Sequence, residues 1–203
     1  MPRRAPINPH GCYHVGTRGG YGQVLFRTPS EHELFLRLFD RAAVKYGWVT
    51  LDWALVWNHH HFIIELTNGG LSEGMRELHG GFSRRIHLIY GLTSQGHLVR
   101  HGFFARELAS DGDVLGACRY VDTNIPLATG CSPSDAEWCG YRATVGLEHP
   151  RSFHRPAALL ERISSSPSHA QRAWTEYVQE RLDEQRRVSS PNDVFGPPSE
   201  WRG

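Results

Sequence analysis

The chain has 203 residues, 39% hydrophobic and 11% aromatic, with a formal net charge of +1. That is enough for one domain and a tail. No apolar stretch approaches the roughly 20 residues that a bilayer span needs. Residues 1–6, Met-Pro-Arg-Arg-Ala-Pro, have no apolar core behind them, so a secretory signal is not expected and the expected compartment is the cytoplasm.

Cys12 to Arg18 reads as a first strand with Tyr13, Val15 and Thr17 on one face, and residues 19–22 as a loop. Ser30 is placed to cap a helix over residues 31–46, with Glu33 completing a capping box and Gly47 closing it. The apolar stripe of that helix is Leu34, Phe35, Leu38, Phe39, Ala42 and Ala43. Residues 49–56 alternate as a second strand with Leu51, Trp53 and Leu55 on one side. Trp57-Asn58 turns into a third strand that ends near Leu66, and Asn68-Gly69-Gly70 breaks the chain. A second helix over about 72–90 turns Met75, Leu78, Phe82, Ile86 and Ile89 inward and Arg76, Arg84 and Arg85 toward its other faces. Residues 91–106 read as a loop with a short strand at Phe103-Phe104. A third helix starts at Ser110 or Asp111, with Asp113 in its first turn and Val114, Leu115 and Cys118 as its stripe.

This order predicts a ferredoxin-like α+β fold, an antiparallel sheet with helices packed on one face. Composition shifts near residue 149. Residues 170–187 form an amphipathic helix with Trp174, Tyr177, Val178 and Leu182 on one stripe, and the Pro/Ser-rich residues 188–203 are expected to be loosely held. The predicted division is therefore 1–148 for a catalytic domain and 149–203 for a helical C-terminal extension.

Four cysteines without a CxxC pair argue against a zinc ribbon. The charge is asymmetric: the first 110 residues hold 12 Lys+Arg against 8 Asp+Glu, and the remainder is net acidic. The basic half also carries Asn58-His59-His60-His61. A strand alternates faces, so His59 and His61 point the same way and can grip one divalent ion. In a chain with 13 histidines, the competing reading is a chance cluster at a polar strand start. Tyr120 and Asn124 lie four apart and share a helix face, as a nucleophile and a third ligand would. The alternative is a core tyrosine near a helix end, with Asn124 as C-cap and Ile125-Pro126 as the stop.

From roughly Tyr13 to Gly146 the chain resembles the REP-associated tyrosine transposase branch of the single-tyrosine HUH transposases. The resemblance rests on five stretches in order: Tyr13-His14-Val15-Gly16-Thr17-Arg18-Gly19; Trp53-Ala54-Leu55-Val56-Trp57-Asn58-His59-His60-His61; Leu71-Ser72-Glu73-Gly74-Met75 with Gly96-His97-Leu98; Arg119-Tyr120-Val121-Asp122-Thr123-Asn124; and Trp138-Cys139-Gly140-Tyr141-Arg142. The tyrosine follows the histidines, the order of transposases and rolling-circle Rep proteins, whereas in relaxases it precedes them.

The resemblance implies an HUH endonuclease fold. It makes His59, His61 and Asn124 ligands for Mg²⁺ or Mn²⁺ and Tyr120 the nucleophile. It implies cleavage of single-stranded or hairpin DNA through a 5′-phosphotyrosine link. Arg18, Arg84, Arg85, His97, Arg100 and Arg106 are the candidates for DNA contact, and Tyr90, Phe103 and Phe104 for base stacking. A homodimer is left open. Three departures stand out: His60 replaces an apolar residue, Trp57 replaces a proline, and residues 124–130 read Asn-Ile-Pro-Leu-Ala-Thr-Gly where the family has an Asn-Pro-Val-Arg-Ala-Gly pattern. They motivate one alternative, a domesticated DNA-binding protein that no longer cuts. A second alternative is a zinc hydrolase on His59 and His61, which requires a third His, Asp or Glu ligand.

Overall fold

The computed structural model describes residues 6–19, 24–91 and 102–188. The chain runs β1 (Cys12–Arg18), α1 (Pro29–Tyr46), β2 (Trp48–Val56), β3 (His59–Leu66), α2 (Leu71–Tyr90), β4 (Phe104–Leu108) and α3 (Asp111–Thr129). Two short helices, α4 (Tyr141–Thr144) and α5 (Pro156–Leu160), lead to α6 (Pro167–Val188). The strands form one sheet in the order β2-β3-β1-β4, and every neighbouring pair is antiparallel. This is the expected ferredoxin-like α+β sheet.

Helices cover both faces of the sheet, where one face was expected. β3 dictates this, because both of its sides are apolar. Phe62 and Ile64 enter a core with α1 and α2, while Ile63 enters a second core with α3 and α6. In the first core Phe39 stacks on Phe62 with ring centroids 3.8 Å apart. Burial of each ring contributes roughly 2 kcal/mol, and stacking adds about 1 kcal/mol.

Several local rules compete along the chain. Thr28 caps α1, where Ser30 was expected: its side chain accepts from Glu31 N at 3.3 Å. Pro29, with φ preset for a first helical residue, moves the start two residues back. Gly47 closes the helix at φ 65°, as expected. Ile89 is exposed, although the helical stripe placed it inward; α2 has run past the core by its last turn.

On β2, Thr50 pairs with Ile64 and Asp52 with Ile63, so Leu51 is an extra residue, a bulge. Leu51 consequently joins the second core while Trp53 and Leu55 stay in the first. The strict alternation expected for these three is broken there, and Asp52 is turned toward α3.

α3 starts at a full capping box, with Ser110 accepting from Asp113 N and Asp113 accepting from Ser110 N. It then runs through Pro126 to Thr129 and ends at Gly130, φ 78°, so the expected stop at Ile125-Pro126 does not occur. The missing proline N–H removes one intrahelical bond, and packing of Val121 and Pro126 against the fold outweighs that loss.

Residues after 149 contribute to both cores. Arg151 makes a bidentate ion pair with Glu33 of α1 at 2.7 and 3.1 Å, and Phe153 packs in the first core. Trp174, Val178 and Leu182 of α6 are buried in the second. Among the described residues, no helix is long and apolar enough to cross a membrane.

Candidate functional site

The histidines sit where β3 enters the sheet. Register against β1 opposes His59 to Arg18, His61 to Gly16 and Ile63 to His14. β4 adds Phe104 opposite Gly16 and Arg106 opposite His14. Directly opposed residues share a face, so His14, Arg18, His59, His61, Phe104 and Arg106 all lie on the α3 side. Gly16 is obligatory there: a Cβ would stand 2.4 Å from the Phe104 ring and 2.6 Å from the His60 carbonyl.

α3 brings Tyr120 and Asn124 onto this face. The Tyr120 ring centroid lies 5.4 Å from His61 and 5.8 Å from His14. Asn124 Nδ2 donates to the Tyr120 carbonyl at 2.7 Å, which orients its amide. Asn124 Oδ1 then faces His59 Nε2 at 3.3 Å. His59 Nδ1 lies 2.7 Å from Asn58 Oδ1, and Asn58 is held because its carbonyl accepts from Gly19 N. The four predicted site residues are thus brought together within one chain.

Protonation makes this arrangement informative. Burial pushes the His59 imidazole down to about 4, although its bond to Asn124 favours the charged form. Burial likewise holds His61 well below its usual value and takes His14 to about 4. A neutral imidazole carries one N–H, yet both nitrogens of His59 face amide oxygens. The shorter contact assigns the proton to Nδ1, donating to Asn58. The Nε2 lone pair then faces the Asn124 oxygen lone pair, an unfavourable contact that a cation between them removes. His61 Nδ1 lies 2.9 Å from His14 Nε2, and one of these two neutral rings donates to the other. His59, His61 and Asn124 fit a divalent cation by donor type. Among the described residues, no three His, Cys, Asp or Glu side chains are grouped to hold a metal; the third ligand required by a zinc hydrolase is not among them.

His60 faces the other way and is fully buried. Its Nε2 meets His79 Nε2 on α2 at 3.0 Å. Burial lowers both rings below their usual values, so one neutral ring donates and the other accepts. The partner that a buried His60 requires is His79.

Behind Tyr120, α3 is anchored by a buried acid pair. Asp52 on β2 and Asp122 on α3 are both fully buried, and burial together with the neighbouring carboxyl favours the protonated form of Asp52. Burial raises both, and Asp122 raises Asp52 further. Trp174 of α6 donates Nε1 to Asp122 Oδ2 at 2.8 Å. Gly140 packs against this pair so closely that a Cβ would lie 2.4 Å from Asp52 Oδ1.

The candidate DNA contacts divide. Arg18 and the exposed Arg106 flank the site on its own face. Arg84 and Arg85 are exposed on α2, across the sheet from Tyr120. His97 and Arg100 lie outside the described residues. Of the stacking candidates, Phe104 packs on His14 at 5.0 Å, Phe103 leans on the first core, and the Tyr90 hydroxyl donates to Glu31. Sequence reasoning assigned no role to His14 or to Arg181 of α6, whose guanidinium stands 5.4 Å over the Tyr120 ring. Strand alternation on β1 puts His14 on the site face; nothing local to α6 signals Arg181.

Comparison with solved structures finds a REP-associated tyrosine transposase bound to a REP hairpin, at TM-score 0.61 and 14% identity over 77% of this chain and 89% of that one. The two chains share a fold. A tRNA(His) guanylyltransferase from Saccharomyces cerevisiae aligns at TM-score 0.44 and 11% identity over 95% of this chain and 85% of that one, too loosely to carry an argument. No family model matches the sequence, and no curated protein matches it.

Proposed function

We propose that this chain cuts and rejoins single-stranded or hairpin DNA, using Tyr120 as the nucleophile. One observation carries the reading: α3 sets Tyr120 and Asn124 against both histidines on its own side of β3. The fold shared with a hairpin-bound transposase supports it. Mg²⁺ or Mn²⁺ held by His59, His61 and Asn124 would supply Lewis-acid polarisation of the scissile phosphate.

The chain's own groups perform the rest. Tyr120 Oη attacks phosphorus in line, the bond to the 3′ oxygen breaks, and the phenolic proton is balanced by the one taken up by the released 3′-hydroxyl. A phosphotyrosine diester retains the bond energy, so the 3′-hydroxyl can attack in reverse and rejoin the strand. His14 keeps the His61 ring in one orientation, and Asn58 does the same for His59. Arg18 and Arg106 are positioned to meet backbone phosphates at the mouth of this face.

The test uses end-labelled hairpin DNA with Mg²⁺ or Mn²⁺ and a denaturing gel. The wild-type chain forms a covalent adduct, and Tyr120→Phe forms none while binding DNA with affinity within about threefold, because only a hydroxyl is lost. Adduct persisting in Tyr120→Phe rules out this nucleophile. DNA binding without adduct in the wild type supports the domesticated, non-cutting alternative instead.

A further inference from the structure

We infer that Arg181 of α6 is a catalytic residue that holds the phosphoryl group at Tyr120. This inference rests on the proposed reading of Tyr120 as nucleophile. α3 and α6 meet through two interleaved pairs. Arg119 and Thr123, four apart on α3, face Tyr177 and Arg181, four apart on α6. The Arg119 guanidinium lies 4.0 Å over the Tyr177 ring. Arg181 Nε donates to Thr123 Oγ1 at 3.1 Å, and Thr123, fully buried, donates back to the Arg119 and Tyr120 carbonyls at 3.0 Å. The Arg181 guanidinium is thereby fixed 5.4 Å over the Tyr120 ring.

The electrostatics of this arrangement are incomplete. Arg119 has Glu184 at 3.6 Å. Arg181 is half-buried and has no ion pair among the described residues. Burial, followed by the charge of Arg119, lowers its pKa from the usual value. A guanidinium drawn out of water beside a second guanidinium is costly unless an anion arrives. Glu184, paired with Arg119, and the aromatic face of Tyr120 compensate only in part. The anion that fits is a phosphate on or entering the Tyr120 oxygen. Nε is committed to Thr123, which leaves the two Nη groups to bind phosphate as a fork. The transition state for attack spreads charge over the non-bridging oxygens, and a fixed cation there lowers its energy.

The competing role is structural, a ring contact and one hydrogen bond that clamp α6 to α3. Arg181→Gln separates the two, because its amide can still donate to Thr123 while the charge is gone. Three quantities are measured on the full chain: the single-turnover adduct rate at saturating hairpin DNA, DNA affinity by anisotropy, and binding of inorganic phosphate by calorimetry. The adduct rate of Arg181→Gln is expected to fall about 100-fold, with the melting temperature and DNA affinity unchanged and phosphate binding lost. Arg181→Lys is expected to recover part of the rate, since the charge returns without the fork. An unchanged rate and unchanged phosphate binding in Arg181→Gln overturn the inference. So does a loss of rate that Arg181→Lys leaves unrepaired and that tracks a fallen melting temperature. If the wild type forms no adduct yet binds phosphate through Arg181, the nucleophile reading fails and the anion site stands. If it forms adduct normally in all three proteins, the nucleophile reading stands and the role of Arg181 falls.

Discussion

The two faces of the sheet bury imidazoles from the same strand and treat them differently. His60, on the α1/α2 side, is sealed under aromatic rings and meets His79 in a donor–acceptor pair. His59 and His61, one position to either side, lie under α3: Asn58 and Asn124 meet the two nitrogens of His59, and His61 packs between His14 and the Tyr120 ring. In the sealed pair only the two Nε2 atoms meet, and His60 Nδ1 is buried without a hydrogen-bond partner among the described residues. The pair under α3 instead faces a phenol and an amide. The two faces thus differ in what surrounds the imidazoles, aromatic core on one side and the polar groups of α3 on the other.

The largest effects should come from breaking this contrast directly. His59→Ala and His61→Ala are each expected to eliminate divalent-dependent DNA cleavage, because two remaining donors hold a hard ion poorly. The folded population of His59→Ala should be little changed, because that ring is half-buried; fully buried His61 also leaves a cavity, so its cleavage is read per folded molecule. His60→Ala is expected to do the reverse, lowering stability by about 2–3 kcal/mol through a cavity and an orphaned His79. Cleavage per folded molecule should persist in that variant. Equal loss of cleavage in all three, with equal stability, would erase the distinction between the faces.

A smaller effect is expected at the buried acid pair, which sits on the α3 side but is completed internally. Asp52 faces Asp122 and is near Cys118, Cys139 and His154, and burial keeps the two thiols and the imidazole neutral. Both carboxyl pKa values are raised, Asp122 to about 7. The folded state therefore holds protons that the unfolded chain has released. The stabilising contribution is complete below the unfolded carboxyl value of about 4 and is lost as pH rises through about 7. Asp52→Asn keeps a donor for Asp122 and removes the second charge. The stability difference between wild type and variant should move by roughly 2 kcal/mol in the variant's favour between pH 5 and pH 9. Denaturant melts across that range measure it, and a constant difference would show that no proton is shared.

The smallest effect concerns the rim. Removing the charges of Arg18 and Arg106 together should weaken binding to single-stranded DNA about tenfold at moderate salt. The slope of affinity against salt should also drop by about 1 to 1.5. The same change at Arg84 and Arg85, across the sheet, sharpens the comparison: a matching loss there would mean that DNA wraps around both faces.

Much of this was legible in the sequence, where a single local rule governs. The alternation of His59 and His61 against His60, the Ser110–Asp113 cap, the Gly47 stop and the four-residue spacing of Tyr120 and Asn124 all survive folding. Expectations failed where two rules compete. Pro29 outweighed Ser30 as the start of α1, and tertiary packing carried α3 through Pro126. The Leu51 bulge is invisible locally, because an extra residue reveals itself only against the partner strand. β4, rich in charge for a strand, exists because β1 needs a neighbour. His14 and Arg181 acquire their places only through strand register and helix docking, over sequence separations of 47 residues to His61 and 58 to Thr123.

The anchoring of α3 by Asp122 and Trp174 bears on molecularity. The tyrosine, the amide and both histidines come from one polypeptide, and the helix that carries the tyrosine is tied to that same polypeptide at its back. The constellation is therefore built from the side chains of a single polypeptide, and two associated copies would each carry it.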